Sequence, residues 1–455
     1  MTQRRMTPSY ESFGRVIAPA PGGITSDTAI ERLRLRKAAP DSLLAYGNGR
    51  SYGDVCINPL GEAVDMRAMS RILSFDAETG LVEVEAGVLL SDLIAHVAGH
   101  GFFPAVVPGT QFVTIGGAIA NDVHGKNHHR RGTFGCHVES LSLLRSDGVV
   151  RECSRGRNAE FFAATIGGMG LTGLILSARL RLMKVPSLSV AERVTPFENL
   201  DAYFDLAERA DAENEYAVAW IDQLATGRSA GRGLLLTGNH AESTPSVQMG
   251  KTARLRVPFA PPVTVLNRPF LKIFNAAYRW SKIRKQGVQV STYQSFFFPL
   301  DGVQDWNLLY GPHGLHQHQS VIPFSAAREA VPALLSATHR AGQGSFLTVL
   351  KRFGDVRSPG LMSFPRPGYT LTLDFPHRGE STLALLAELD RITVGAGGAV
   401  NPYKDARMSA DTFAASFPDF GRLEALRDPA FSSGFWQRTA GRLPNCGISV
   451  AQAAE

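Results

Sequence analysis

The chain is 455 residues long, 44% hydrophobic and 19% charged. That composition excludes extensive disorder and leaves more chain than one core accommodates, so two or three domains are expected. A formal net charge of +6 is too small an excess to indicate nucleic acid unless it is concentrated in one place. Cys56, Cys136, Cys153 and Cys446 lie far apart with no CxxC pair, so neither a zinc site nor a disulfide framework is signalled and a reducing compartment is expected. No apolar h-region follows Arg4 and Arg5, and no stretch approaches the ~18 apolar residues of a membrane span, so neither classical secretion nor membrane crossing is expected.

In chain order, 28–37 reads as a helix and 42–46 as a short apolar strand that runs into GNGRSYGD at Gly47. A strand entering a glycine turn lets consecutive backbone N–H groups converge on an anion, with Arg50 and Ser51 adding donors. LVEVEA at 81–86 alternates apolar and acidic residues as a half-buried strand does, and 89–100 places Leu90, Leu93, Ile94 and Val97 on one helical face. The stretch 108–135, PGTQFVTIGGAIANDVHGKNHHRRGTFG, has neither period throughout. Its glycines at 109, 116, 117, 125, 132 and 135 let backbone approach a ligand closely. Thr110, Thr114, Asn121, Asp122, His124, Lys126 and Asn127 add more polar chemistry than a turn requires. A large flat or phosphorylated ligand is expected there. His124 and His128 have the i, i+4 spacing of metal ligands, with His129 beside them, but no Glu accompanies them.

Segments 138–144 and 149–153 flank Ser146-Asp147-Gly148, a hairpin signal. The run 168–173 fits G-x-G-x-x-G, with Glu192 about where an acidic ribose partner would be sought. A helix-like segment, 158–165, precedes it and an alternating strand, 174–182, follows it. That is the reverse of the strand-to-helix order a nicotinamide site needs, so the glycines are read as a turn bringing backbone to a different cofactor. Beyond Pro186 the text changes: a helix at 200–212, strands at 215–224, 233–238, 290–300, 315–323, 345–354 and 368–376, and helices at 326–340 and 381–395. This predicts an antiparallel sheet with helices on one face, and Gln317, Gln319, Lys351 and Thr372 as candidate pocket residues on its strands.

Between 251 and 285, Lys251, Arg254, Arg256, Arg268, Lys272, Arg279, Lys282, Arg284 and Lys285 are uninterrupted by any acid. They are interleaved with Val257, Phe259, Leu266, Phe270, Ile273, Phe274, Tyr278 and Trp280. This is the composition of a segment resting on an anionic membrane surface, the alternative being a solvated basic insertion; no nucleic-acid module surrounds it. Near the end, Lys404 stands among Tyr403, Asp405 and Arg407 before a helix capped by Ser409, placed to project into a site.

GNGRSYGD, TFGCHVESL, IGGMGLTGLI and NPYKDARMS, together with the 108–135 stretch, resemble the flavin enzymes of the vanillyl-alcohol-oxidase superfamily. DVHGKNHH after GGAIA is similar to the decaprenylphosphoryl-ribose oxidase family in particular, and the resemblance runs from about 12 to 438. It implies an α+β chain: a PCMH-type FAD-binding domain of two α/β subdomains over 1–186, a substrate domain with an antiparallel sheet and flanking helices over 187–399 carrying the basic loop 251–285, and a C-terminal segment, 400–455, returning over the flavin. FAD held non-covalently is implied, with Gly49, Arg50, Ser51, Tyr52, Gly53, Pro108, Gly109 and Thr110 at the pyrophosphate and adenosine. Thr114, Gly116, Gly117, Ala120, Asn121, His124 and Gly125 would follow the ribityl chain and ring, Gly170 and Gly173 would form the second glycine turn, and Ile175 would lie at the adenine end. That assignment of His124 leaves no metal expected.

Catalytic roles fall to Lys404, His124 and Tyr52, and substrate contacts to Lys126, Trp220, Gln317, Gln319, Lys351, Phe353, Thr370 and Thr372. The implied reaction oxidises a secondary hydroxyl of a polyprenyl-phosphate-linked pentose to a keto sugar, with hydride passing to flavin N5 and a base taking the hydroxyl proton. A separate short-chain reductase would complete an epimerisation, with the protein in the cytoplasm or peripheral at the inner membrane face. A soluble aldonolactone or alditol oxidase is the alternative, and a lipid- or polyanion-binding protein without turnover a third reading. Three departures from the family pattern stand out: Thr370 and Thr372 replace an asparagine and a cysteine, Asn401 and Tyr403 replace a tyrosine and a small residue before Lys404, and Phe297 replaces a tyrosine.

Overall fold

The computed structural model describes residues 9–242, 255–284 and 287–444; Lys251, Arg254, Lys285 and Cys446 lie outside the described residues. The glycine turn at 47–53 leaves a three-stranded parallel sheet in the order Gly23–Thr25, Glu62–Asp65, Leu43–Tyr46. Ser26–Arg34 covers it, capped by the Thr25 hydroxyl on the Thr28 N–H, with Ala29 and Leu33 buried beneath. A second, antiparallel sheet runs Ile72–Asp76, Leu81–Glu85, Leu174–Lys184, Val138–Leu144, Val150–Ser154, with Phe102–Pro104 paired to Leu174–Lys184. The hairpin expected around 146–148 is present. The second glycine run does connect a helix, Ala159–Thr165, to a strand, Leu174–Lys184. Positive φ at Gly167, Met169, Gly170 and Gly173 turns the chain between them.

A third sheet is antiparallel throughout, in the order Val288–Ser291, Val190–Phe197, Gly233–His240, Tyr216–Ile221, Thr348–Phe353, Gly368–Pro376, Leu315–Ile322, Ala399–Val400. One face is apolar: Ala219, Ile221, Leu350, Leu371, Leu373 and Phe375 share a core with helices Leu200–Glu213, Phe324–Arg340 and Glu380–Gly395. Because side chains alternate along a strand, the residues between them face the other way. That face carries Trp220, Gln317, Gln319, Lys351, Phe353, Thr370, Thr372 and Asp374, with Gln319 opposite Thr372, Gln317 opposite Asp374 and Lys351 opposite Thr370.

The strand expected at 290–300 is shorter than predicted. Only Val288–Ser291 is extended; Thr292 then caps a helix, Tyr293–Phe297, by accepting from the Ser295 N–H. Tyr293, Phe296, Phe297 and Phe298 are buried in the core of the first two sheets, so tertiary packing overrides the strand preference of a run of aromatics.

Past Ala399–Val400 the chain turns through Pro402–Lys404 and goes back to the first sheet, where Phe431 bridges Leu43. Arg438 locks this return: Nε meets Asp54 Oδ2 at 2.7 Å and Nη2 meets Asp405 Oδ2 at 2.6 Å, with both carboxylates buried. Removing the guanidinium strands the buried Asp54 carboxylate and leaves Asp405 with only the more distant Arg407. Arg438→Ala is therefore expected to lower unfolding free energy by about 3–5 kcal/mol in urea titration, and Arg438→Lys, which cannot bridge bidentately, to recover only part of it.

Candidate functional site

Four pieces of chain converge on the polar face of the third sheet: the turn 47–53, the segment 105–125, the loop 354–364 and the short helix ending at Lys404. In the turn, the carbonyls of Ser51 and Tyr52 accept from the N–H groups of Phe13 and Gly14 at 2.8 and 3.2 Å, which fixes the turn from outside. Among the described residues, none of the N–H groups of positions 49–53 donates to a protein acceptor. The Arg50 guanidinium sits 5.5 Å from the Phe13 ring and 5.8 Å from that of Phe112, with its buried Nε also without a partner. Gly49 adopts φ +60°, and a Cβ at Gly53 would lie 1.8 Å from the Asp405 carbonyl, so neither position accommodates a side chain.

Thr114 caps the helix Ile115–Ala120 through the Gly117 N–H, 3.2 Å away, and Gly116 is pressed on Ala86, where a Cβ would come within 2.9 Å. Gly116, Gly117, Ala120, Asn121, Pro108, Thr110 and Gly170 form a half-buried strip of small residues continuing from the turn, with Gly109 exposed at its edge. Free amides in a glycine turn followed by a wall of small residues suit a pyrophosphate joined to flat rings, so the residues present fit FAD. Gly125 is buried against Val107, and Gly173 and Ile175 are buried, Ile175 with its side chain in the apolar core.

His124 lies edge-on to Phe353 at 4.9 Å, and its Nε2 is 3.0 Å from Gln319 Nε2. Gln319 Oε1 accepts from Asn401 Nδ2 at 2.8 Å, so its amide nitrogen faces His124 and Thr370, both at 3.0 Å. His124 Nε2 is then an acceptor. Burial, reinforced by Lys351, His128 and Lys404, holds the imidazole well below its usual range and hence neutral. His128 packs on Phe353 at 4.5 Å, while His129 pairs with Asp211 and the Asn214 carbonyl. His124 and His128 thus share the Phe353 ring while His129 turns to other partners, and no group of three metal-ligating side chains converges among the described residues.

Three lysines enter the site. Lys126 donates to the carbonyls of Phe296 and Phe297, the latter at 3.2 Å, and burial pushes its ammonium down to about 7. Lys351 is pushed down to about 8 by burial and by Lys404. Lys404, held 4.6 Å from the centre of the Tyr52 ring, is pushed down to about 8 by burial, opposed by Asp374. Burial holds the Tyr52 hydroxyl well above its ordinary range, so it remains a phenol. Trp220 shares the sheet face and meets Tyr278 edge-on at 5.0 Å; Thr372 occupies the place between Gln319 and Val349.

Sequence reasoning passed over Asp374, although the period that groups Thr370 with Thr372 continues to it. It also passed over Tyr310, whose place in the 3-10 turn Trp306–Tyr310 carries no sequence signal. Asp122, singled out only as polar, is buried at φ +39° and accepts from the Gly135 N–H and from the Ser358 and Ser363 hydroxyls, which pins 354–364 over the histidines.

Comparison with known proteins adds three relatives and one family. Residues 25–154 match the FAD binding domain family, which covers two of the three strands of the first sheet and all of the second but Leu174–Lys184. The chain is 36% identical over 422 residues to decaprenylphosphoryl-beta-D-ribose oxidase of Mycolicibacterium smegmatis, covering 89% of this chain and 91% of the relative. It is 34% identical to an uncharacterized protein in the mprA 5' region of Streptomyces coelicolor, over 78% of this chain and all of the relative. Similarity to L-gulonolactone oxidase of Bos taurus, 29% identical, covers 44% of this chain and 47% of that enzyme. The fit of this wall to FAD can be tested: Gly53→Ala should reduce FAD retained per chain on gel filtration. Gly99→Ala, outside this wall and with nothing within 4 Å of an added Cβ, should not.

Proposed function

This chain belongs to the decaprenylphosphoryl-ribose oxidase family of FAD-dependent oxidoreductases, and on that premise we propose that it oxidises a secondary hydroxyl of a polyprenyl-phosphate-linked pentose to a keto sugar. The observation that carries this reading is the charge of the site. Lys126, Lys351 and Lys404 are half-buried, their ammonium groups depressed by desolvation, and among the described residues none forms an ion pair with a carboxylate. Buried cations without counter-charge are costly, and an anionic ligand removes the cost. A phosphodiester does so; a neutral aldonolactone or alditol does not, which favours the lipid-linked sugar over the soluble-oxidase alternative.

In this reading Gly49 to Gly53 and Pro108 to Thr110 cradle the pyrophosphate, and Thr114 to Gly125 run along the ribityl chain and rings. Bound FAD supplies the acceptor for the carbinol hydride. Lys404 stabilises negative charge beside it, Gln317, Gln319 and Tyr52 orient the sugar, and Lys351 with Lys126 faces the phosphate. Thr370 and Thr372 leave this surface without a thiol, so thiol-directed inhibitors form no adduct here. We assign 1–186 to FAD and 187–399 to substrate, with 400–444 of the C-terminal segment closing the site. G168 to G173 joins helix to strand, so no nicotinamide site is built there, and a separate short-chain reductase fits the second half of an epimerisation.

The helix Arg268–Ile283 supports contact with an anionic membrane. Its inner side packs Leu271, Asn275 and Tyr278, while Lys272, Ile273 (72% exposed), Trp280 (61% exposed) and Arg284 face outward. No helix among the described residues is long and apolar enough to cross a membrane. Anaerobic mixing with a panel of polyprenyl-phosphate sugars should bleach the flavin, whereas free sugar acids should not; the reverse result would establish the soluble oxidase. Lys404→Ala should abolish bleaching with FAD still bound, and a silent substitution would reinstate the binding-only reading. Ile273→Glu with Trp280→Glu should weaken sedimentation with anionic liposomes by roughly tenfold or more, given ~1.5–3 kcal/mol per large apolar side chain buried, and leave bleaching by a short-chain substrate unchanged.

A further inference from the structure

The polar face of the third sheet ends in a carboxylate that no cation pairs with. Asp374 is fully buried; Oδ1 accepts from Gln317 Nε2 at 2.6 Å, and Oδ2 has no hydrogen-bond partner among the described residues. Its backbone N–H is tied to Ser345 Oγ at 2.9 Å, so the carboxylate cannot swing away with its strand. Tyr52 from the glycine turn, Tyr310 from the 3-10 turn and Lys404 from the C-terminal segment are the titratable groups that face it. The Tyr310 hydroxyl is buried and likewise without a partner. This buried carboxylate, held by one neutral amide and with one oxygen unpartnered, differs from Asp54, Asp405 and Asp390, which are closed by guanidinium groups, and from Asp122, which is closed by two serine hydroxyls and a backbone N–H.

We propose that Asp374 is the proton acceptor in the oxidation, with Gln317 fixing one oxygen so that Oδ2 points at the sugar hydroxyl. This rests on the reading of the site as that of a polyprenyl-phosphoryl pentose oxidase. In the step, the carbinol O–H bond breaks and its proton goes to Oδ2. The C–H bond breaks with its hydride leaving for bound FAD, and the oxygen's electron pair closes the carbonyl. The products are the keto sugar, the carboxylic acid and the two-electron-reduced cofactor. Burial pushes the Asp374 carboxyl up to about 7, against the pull of Gln317 and Lys404, which matches a general base to neutral pH. The competing bases are less suited, since His124 Nε2 is occupied by Gln319 and Tyr52 is held as a phenol.

The test uses the FAD-loaded full chain and a short polyprenyl-phosphoryl ribose, following anaerobic bleaching against pH. Wild type should show a rate that rises through about 7, as Asp374 ionises, and falls above about 8, as Lys404 loses its proton. Asp374→Asn should bleach ~10²–10⁴-fold more slowly and lose the acid limb, with FAD content and substrate dissociation constant nearly unchanged. A merely positional role would lower the rate but keep the acid limb, and would overturn the proposal. Independently of turnover, the infrared difference between wild type and Asp374→Asn in the substrate-free holoprotein should contain a protonated carboxyl band that disappears through neutrality. Should the variant misfold, the pH difference spectrum of wild type alone decides: absence of any protonated carboxyl that titrates through neutrality overturns the proposal. If wild type is bleached and the variant is equally fast, only this inference falls; if wild type is not bleached, the substrate reading falls with it.

Discussion

One side-chain amide joins the parts of this molecule that must meet for the site to exist. Gln319 lies on the penultimate strand of the third sheet; its oxygen accepts from Asn401 of the returning C-terminal segment, and its nitrogen faces His124 of the flavin-binding unit and Thr370 of the neighbouring strand. The backbone repeats the connection, with the Asn401 N–H on the Gln319 carbonyl at 2.8 Å. The contacts to Thr370 and Asn401 are buried and that to His124 is partly so, and each lost partner would leave another polar group unsatisfied in a low-dielectric setting. The network therefore sets both where Lys404 enters the cleft and which nitrogen of His124 carries the proton.

The electrostatics around that network divide by location. At the periphery of the site, buried charges are closed within the protein: Arg438 spans Asp54 and Asp405, and Arg407 meets Asp390 and Asp405. Inside it, lysines and one carboxylate are left without direct ionic partners. The first arrangement makes the C-terminal segment rigid. The second keeps ionisations near neutral pH and leaves charge available to whatever binds, at a cost in stability that a purely structural sheet face would not carry.

Much of this was legible in the chain because two local signals are strong. A strand running into GNGRSYGD dictates a turn whose amides are free, and alternation along LHQHQSVIP and GYTLTLDFP sorts Gln317, Gln319, Thr370 and Thr372 onto one face. What failed lay where tertiary contacts decide. The run 290–300 carries strand-like composition but becomes a helix because its aromatics find a deeper core in the neighbouring unit, with Phe297 stacked on Phe103 at 5.3 Å. The partners of Lys126 were equally invisible, since the carbonyls that hold it lie some 170 positions away. Asp374 was overlooked for a different reason: the alternation reached it, but an acid near a strand end reads as solvent-exposed until the sheet is seen to be covered.

The departures from the family pattern around Lys404 acquire a physical reading from the same geometry. Tyr403, in place of a small residue, is buried and shares its hydroxyl between the carbonyls of Gly167 and Met362, at 2.8 and 2.7 Å. Asn401, in place of a tyrosine, gives its amide to Gln319 and its oxygen to the Tyr403 N–H. Both substitutions therefore tether the turn that delivers the lysine, one to the second glycine run and one to the sheet. Specificity on the sheet face, where threonines stand, can thus change while the placement of the cation does not.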